Sequence, residues 1–380
     1  FSVRDENAFL NLSYQTTLGL WLKSLSRFYS GHYAYEAWRE FADYSTDNLK
    51  YGRREYHGQW WGFDQKFVGN WFLDHTMVFG FEFRNDYRQQ FRRSYLSPEK
   101  ALLEVYSDSL SRRTASFYLT DEYRINERWS LNLGARYDDP SDLAGNWSPR
   151  LAVIYQPTPL TTLKASYSEA FRMPHAYERF IYEAAAAPEF VAASEFVLQH
   201  EFSPDTRLTG SLYRYRRSGQ LVYSDALGDY VDSGKSHANG VEVELERLWK
   251  GGIRSRGSMA WQNSTDADGR ALANSPNVLG KLNVSFPVFD GAIRTGIDAQ
   301  YLGSRLTLER RRISGVGLAN LTFSSERKWH GLSALFRIRN LFDREYEVVS
   351  PFDWRPVSNV SQDTLRMDGR TYWVQVNLDL

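Results

Sequence analysis

Along most of the chain, apolar and polar residues alternate one for one. In RWSLNLGARYDDP (128–140), Trp129, Leu131, Leu133, Ala135 and Tyr137 fall on one face. Ser130, Asn132, Gly134, Arg136 and Asp138 fall on the other. A period of two describes a strand with one apolar and one wetted face. KLNVSFPVF repeats it with Leu282, Val284, Phe286 and Val288, and IRTGIDAQY sets Ile293, Ile297, Ala299 and Tyr301 against Arg294, Asp298 and Gln300. GVEVELE alternates Val241, Val243 and Leu245 with Glu242, Glu244 and Glu246. The last segment, TYWVQVNLDL, puts Tyr372, Val374, Val376, Leu378 and Leu380 on its apolar side. About seventeen such segments can be traced, each of roughly 10 to 20 residues, and no amphipathic helix exceeds a few turns. The pattern predicts an all-β protein.

The connections choose the architecture. Short ones fall at 16–19, 68–75, 126–129, 156–162, 203–206, 247–252, 289–292 and 325–331. Longer polar or aromatic ones lie between them, near 36–56, 97–111, 139–146, 174–193, 224–230, 266–275, 303–312 and 351–368. This alternation fits an up-and-down antiparallel meander with tight turns at one end and loops at the other, as in outer-membrane barrels. A Greek-key sandwich would not sustain it. Trp71, Trp129, Trp249 and Trp329 each stand at a short turn, which predicts a girdle at a lipid–water interface. Charges such as Glu242, Glu244, Glu246, Arg136 and Asp298 would be prohibitive in a dry core but suit a hydrated lumen. The expectation is a transmembrane antiparallel up-and-down β-barrel, lipid outside and polar within.

Composition narrows the function. Lys plus Arg and Asp plus Glu both number 46 in 380 residues, so no net field draws the chain to nucleic acid. There is no cysteine, which removes thiolate metal sites and cysteine nucleophiles. Mean hydropathy is −0.53, and no stretch approaches the roughly 18 apolar residues of a spanning helix, a test blind to barrels. Aromatic residues make up 16% of the chain, which reinforces the girdle. STDADGR (264–270) begins like a calcium loop, but Asn277 stands where that site needs a bidentate Glu, so a solvated turn is expected. ERRRI (309–313) reads as a solvated basic cluster, with lipopolysaccharide or ligand contact as the alternative. No spacing supports a catalytic triad or carboxylate pair, and no enzyme activity is expected.

Four motifs resemble those of TonB-dependent outer-membrane receptors. LKASYSEAFRMPHAYERF (163–180) looks like their strand-to-loop motif, and GVEVELE (240–246) like a recurrent strand. RIRNLFDREYEVV (337–349) is close to their near-terminal N-L-F-D-x-x-Y signature. MDGRTYWVQVNLDL (367–380) resembles the closing strand, whose Tyr372, Val374, Val376, Leu378 and Leu380 the barrel-insertion machinery would read. The family normally ends in Phe or Trp, and Leu380 departs from that. The resemblance implies a barrel of about 22 strands with a plugged lumen, of which about seventeen would lie in 1–380. The plug domain, the TonB-contacting segment and the first strands would then be absent. It also implies a receptor in the outer membrane of a Gram-negative bacterium that imports a scarce nutrient with energy delivered through TonB. A ferric siderophore is the first expectation, haem or cobalamin the alternatives. Implied partners are TonB through the missing N-terminal region, outer-membrane lipid and lipopolysaccharide, the barrel-assembly machinery and a small chelate, with no nucleic acid and no permanently bound cofactor.

Candidate ligand-binding residues lie on predicted loops. Arg172, His175, Tyr177, Arg179, Trp354 and Arg355 would suit a planar anionic chelate through stacking and charge-assisted hydrogen bonds. Haem-transporting members of the family carry an F-R-A-P box before a loop histidine, then an N-P-N-L box. Phe171, Arg172 and Pro174 match the first box and His175 follows at once, but IYEAAAAPEF replaces the second. A rigid strand exit with an ordinary loop histidine is therefore preferred to a haem ligand. The rivals are a passive porin and a soluble sugar-binding β protein, the latter excluded if the protein fractionates with membranes.

Overall fold

A computed structural model describes residues 2–43, 48–97, 101–181, 187–224, 229–232, 234–326, 330–350 and 363–378. Its first strands are long: β1 (Ser2–Leu18), β2 (Leu22–Asp43), β3 (Asn48–Gly69), β4 (His75–Leu96), β5 (Leu102–Arg124) and β6 (Trp129–Pro140). Then come β7 (Asn146–Thr158), β8 (Thr161–Arg172), helix α1 (Ala176–Ile181), β9 (Glu189–Ser203) and β10 (Thr206–Ser218). A small hairpin, β11 (Leu221–Ser224) and β12 (Asp229–Asp232), precedes β13 (Lys235–Leu248), β14 (Arg254–Thr265), β15 (Val278–Val288) and β16 (Ile293–Leu302). A second hairpin, β17 (Arg305–Leu306) and β18 (Arg312–Ile313), leads to β19 (Val316–Ser325) and β20 (Leu332–Arg339). The pair β21 (Glu347–Val349) and β22 (Thr364–Arg366) precedes the final strand β23 (Thr371–Leu378). The main sheet has 17 strands, as the alternation predicted, and the short strands form three separate pairs. No helix among the described residues is long and apolar enough to cross a membrane.

Contacts divide the chain into two units. The first comprises Phe1–Val153, Tyr167–Ala192 and Gly219–Ser233. Within it β1 through β6 pair antiparallel in chain order. Phe81, Phe117 and Tyr137 lie in one row across β4, β5 and β6, and Phe79, Leu119 and Ala135 in the next. On the opposite face Glu82, Ser116 and Asp138 align, beside Gly80, Tyr118 and Arg136. Burial is inverted relative to a water-soluble fold: Phe117 is 60% exposed, whereas Ser116 is 1% exposed and Asp138 6%. A surface of exposed Phe and Leu over such an area demands a non-aqueous environment.

The polar face is closely fitted. A Cβ at Gly62 would fall inside the ring of Tyr29, its cross-strand partner, and one at Gly80 would meet the Tyr118 hydroxyl and the Gln65 carbonyl. Glycine thus lets an aromatic ring lie flat across the neighbouring strand. The ring in turn aims its hydroxyl along the wall: Tyr29 donates to Glu82 at 2.7 Å and Tyr118 to Asp64 at 3.0 Å.

The second unit comprises Ile154–Ser166, Ala193–Ser218 and Gly234–Leu380. Here β10, β13, β14, β15, β16, β19, β20 and β23 pair antiparallel in succession. Val241, Val243 and Leu245 are exposed, and Glu244 and Glu246 on the alternate positions accept from Arg256 and Arg207. The NLFDREY motif (340–346) locks the turn that follows β20. Asn340 adopts φ 50°, accepts from the Arg344 N–H at 2.9 Å and donates to the Arg344 carbonyl at 2.8 Å. Asn tolerates this left-handed backbone because its side chain can bond locally. Asp343, also at positive φ, accepts the Arg370 N–H at 2.6 Å and so ties the turn to the approach of β23.

Candidate functional site

The first unit carries an open cavity of about 610 Å³ on its polar face, toward the end bearing the longer connections. Its wall comes from alternate positions on adjacent strands: Trp60 from β3, Glu82, Arg84 and Arg88 from β4, Arg112 from β5, and Arg136 from β6. Met173, Pro174 and His175, from the connection after β8, close one side. Period-two alternation sends the side chains of Glu82, Arg84 and Asp86 to this face. Trp60 offers its ring to Arg84, whose guanidinium carbon lies 5.6 Å from the ring centre.

The charges of the wall are already matched to one another. Arg84 forks onto Asp86 at 2.9 and 2.8 Å. Arg136 donates to Asp138 at 2.8 Å and to Glu82 at 2.9 Å, while the Ser116 hydroxyl donates to Asp138 at 2.6 Å. Arg112, itself buried, forks onto Asp142 at 2.8 and 3.0 Å. Of the four arginines lining the cavity, Arg88 instead donates to the uncharged Gln90, at 2.7 Å.

The connection after β8 is tied down at several points. Both Nη atoms of Arg112 donate to the Pro174 carbonyl at 3.1 Å. Arg179, on α1, reaches the same Asp142 at 2.6 Å. Arg172 joins Glu178 at 2.9 Å and Glu189 at 2.8 Å, holding helix, strand exit and the start of β9 together. His175 caps α1: its Nδ1 accepts the Glu178 N–H at 3.2 Å, and Glu178 Oε2 accepts the His175 N–H at 3.0 Å. This is a reciprocal capping box with imidazole in place of a hydroxyl. Burial alone would raise the Glu178 carboxyl, but the bonds from Arg172 and the His175 amide outweigh it and hold the group below its ordinary range.

Of the six sequence-predicted ligand residues, the structure thus places Arg172, His175 and Arg179 in one clamp beside the cavity, with His175 also on its lining. Tyr177 lies on α1. Trp354 and Arg355 lie outside the described residues, as do Trp329 and Leu380. Trp71, Trp129 and Trp249 are exposed at short turns, and the indole of Trp249 lies under Arg247 and donates to Ser255 at 2.8 Å. Tyr372, Val374, Val376 and Leu378 are exposed along β23. The basic run is not a free patch: Arg311 bonds Asp363 and Thr364, and Arg310 bonds the Ala271 carbonyl, stitching three connections of the second unit together. Asp266 accepts the Asp268 and Arg270 N–H groups, the solvated turn expected. Missing from the sequence reading were Trp60, Glu82, Arg84 and Arg112, which sit on strands; the alternation of EFRND (82–86) was the signal available for the β4 wall.

A model of the family described as "TonB dependent receptor-like, beta-barrel" matches residues 2–341. Among curated proteins, the chain is 25% identical over 239 residues to the vitamin B12 transporter BtuB of Vibrio cholerae serotype O1. That match covers 60% of this chain and 38% of the transporter, so the chain spans well under half of that relative. The probable TonB-dependent siderophore receptor PirA of Acinetobacter baumannii is 33% identical over 66 residues, 17% of this chain and 9% of that protein. Among solved structures, the copper transporter OprC aligns at a TM-score of 0.79 and 15% identity, covering 99% of this chain and 65% of its own. The unliganded ferric citrate transporter FecA aligns at 0.78 and 16% identity, covering 99% and 62%.

Proposed function

The chain belongs to the TonB-dependent receptor β-barrel family, outer-membrane proteins of Gram-negative bacteria, and on that premise we propose that it walls a receptor importing a scarce metal chelate. Capture takes place at the outer face and import draws on energy delivered by TonB through a region N-terminal to this segment. The observation that carries this reading is the cavity framed by Trp60, Arg84, Arg112 and Arg136, with the clamped 172–179 segment beside it. Arg88, which donates to the uncharged Gln90, and the aromatic face of Trp60 suit a planar chelate rich in oxygen acceptors. A ferric siderophore is the first ligand proposed.

Cobalamin is the second reading, and a specific observation favours it. The carboxylates Asp86, Asp142, Asp138 and Glu82 already neutralise Arg84, Arg112 and Arg136, so of the four lining arginines Arg88 is left to meet the charge of a highly anionic chelate. An amide-rich ligand of low net charge needs hydrogen-bonding surface more than field. The relative matched over 239 residues is a vitamin B12 transporter. Haem ranks below both, because His175 Nδ1 is engaged in the helix cap.

The test is equilibrium binding of ferric siderophores, cyanocobalamin and haemin to the full-length receptor in detergent, followed by uptake with and without TonB. Saturable binding of one chelate and its TonB-dependent accumulation are expected. Uptake that persists without TonB at an undiminished rate, as through a passive pore, would overturn the proposal.

A further inference from the structure

On the outward face of the second unit, the register of β10, β13 and β14 lines side chains up in cross-strand rows. Leu212, Val241 and Trp261 form one row, and all three are exposed. The next row, one step nearer the longer connections, is Arg214, Asn239 and Asn263. Arg216, His237 and Thr265 follow, and then Ser218 with Lys235. Arg214, Arg216 and Lys235 are exposed. The intervening Tyr213 and Tyr215 face the other way, where they donate to Gln262 and Glu195. Apolar side chains therefore give way to polar ones between two adjacent rows, with Trp261 at the border, as at a lipid–water interface. Just beyond that border stand three cations. Successive rows are two residues apart, about 6.8 Å, so the three lie within about 14 Å along the strands. Among the described residues none accepts a hydrogen bond from these side chains, and no carboxylate pairs with them.

Acyl chains cover the Leu212 row, so the rows above it meet whatever those chains carry at their ends. The longer connections of such a barrel face the cell exterior. The leaflet there is lipopolysaccharide, a glycolipid whose phosphates stand directly above its acyl chains. A guanidinium grips phosphate oxygens in pairs, and a lysine adds a point charge. Arg310 and Arg311 of the basic run offer no such surface, being bonded within the chain. We propose that Arg214, Arg216 and Lys235 form a binding site for the phosphates of lipopolysaccharide, with its acyl chains lying on Leu212, Val241 and Trp261. The site is on the opposite face of the sheet from the lumen, so nutrient and glycolipid are held by different side chains.

The full-length receptor, purified in detergent and stripped of lipid, is offered diphosphoryl lipid A, monophosphoryl lipid A or phosphatidylglycerol. Bound lipid is counted by native mass spectrometry. Diphosphoryl lipid A should bind most tightly, and Arg214→Gln with Arg216→Gln should weaken it about tenfold. Arg217→Gln, next in the chain but paired with the buried Ser236 on the lumen face, should leave it unchanged. Equal binding of diphosphoryl lipid A and phosphatidylglycerol by the parent, or parental binding by the double variant, would overturn the proposal. Displacement of the lipid by inorganic phosphate would reveal a site for the free anion and overturn the lipid assignment. The comparison of lipids on the parent needs no variant, so it decides the matter even if the substitutions impair folding. Chelate binding should be the same in the double variant, and its loss would assign these arginines to the nutrient instead.

Discussion

Replacing Arg112 by Met should release the connection after β8 while leaving the strands intact. Arg112 is 7% exposed, and its guanidinium makes four bonds, two to Asp142 and two to the Pro174 carbonyl. Charged hydrogen bonds are worth about 1.5–3 kcal/mol each, but adding four of them double-counts a shared desolvation cost. Breaking a buried ion pair from one side costs about 3–5 kcal/mol. Asp142 retains Arg179 at 2.6 Å, so the lower end applies, about 3 kcal/mol. If that energy holds the segment closed, its opening constant rises about a hundredfold, since 1.4 kcal/mol is a factor of ten. Hydrogen exchange of a peptide spanning 173–181 reads this directly, because the Arg179 amide bonds the His175 carbonyl. Protection there should fall by about two orders of magnitude, with amides of β4 and β6 unchanged. A fall of less than about threefold would show that Arg112 does not anchor the segment, and the clamp argument would fail with it.

Further predictions address the cap, the wall and pH. His175→Ala should cost the α1 turn about 1 kcal/mol, seen as faster exchange at 176–181, and His175→Ser should recover most of it. Siderophore uptake should survive His175→Ala, and loss of haem uptake alone would reinstate a ligand role. Gly62→Val should displace Tyr29 and break its bond to Glu82, lowering thermal stability by about 1–3 kcal/mol, while Gly62→Val with Tyr29→Ala should recover part of the loss. For Glu178 the folded value lies below the ordinary 4.5, so its contribution is complete above that pH and is lost only as pH falls through the lowered value. Protease sensitivity of the segment should therefore be flat from neutral pH down to the ordinary carboxylate value and rise only below it, and Glu178→Gln should abolish the rise.

The strands were legible because alternation is enforced by two unlike solvents, and a one-residue slip would put every Arg of the wall into lipid. Their length was not. The sequence suggested a loop over 36–56, whereas β2 runs to Asp43 and β3 resumes at Asn48. Past the hydrocarbon both faces of a strand are wet, so HYAYEAWREFAD (32–43) no longer separates apolar from polar residues although the pairing continues. The same holds for 97–111, where β5 already begins at Leu102.

The cavity was hidden for a related reason. The sequence points to the loops, because loop residues are free of packing demands. Yet Arg84 and Arg136 occupy positions that alternation assigns simply to the wet face, and what makes them a site is which residue stands across the strand. Register pairs Glu82 with Ser116 and Ser116 with Asp138, and so sets Arg136 between two carboxylates. Pairing of this kind has a consequence for transport. A wall whose charges are satisfied internally exerts little field beyond a few ångströms, so it holds a passing ligand weakly and releases it easily. Tight capture must then come from groups able to move with the ligand. In the described part of the first unit these are carried by the 172–179 segment, which is held by side-chain bonds from Arg112 and to Asp142 and Glu189, bonds that can be exchanged without breaking the backbone ladder of the sheet. Exchanging that segment for its counterpart from the vitamin B12 transporter of Vibrio cholerae should accordingly change which chelate is bound while leaving the register of β2 through β6 untouched.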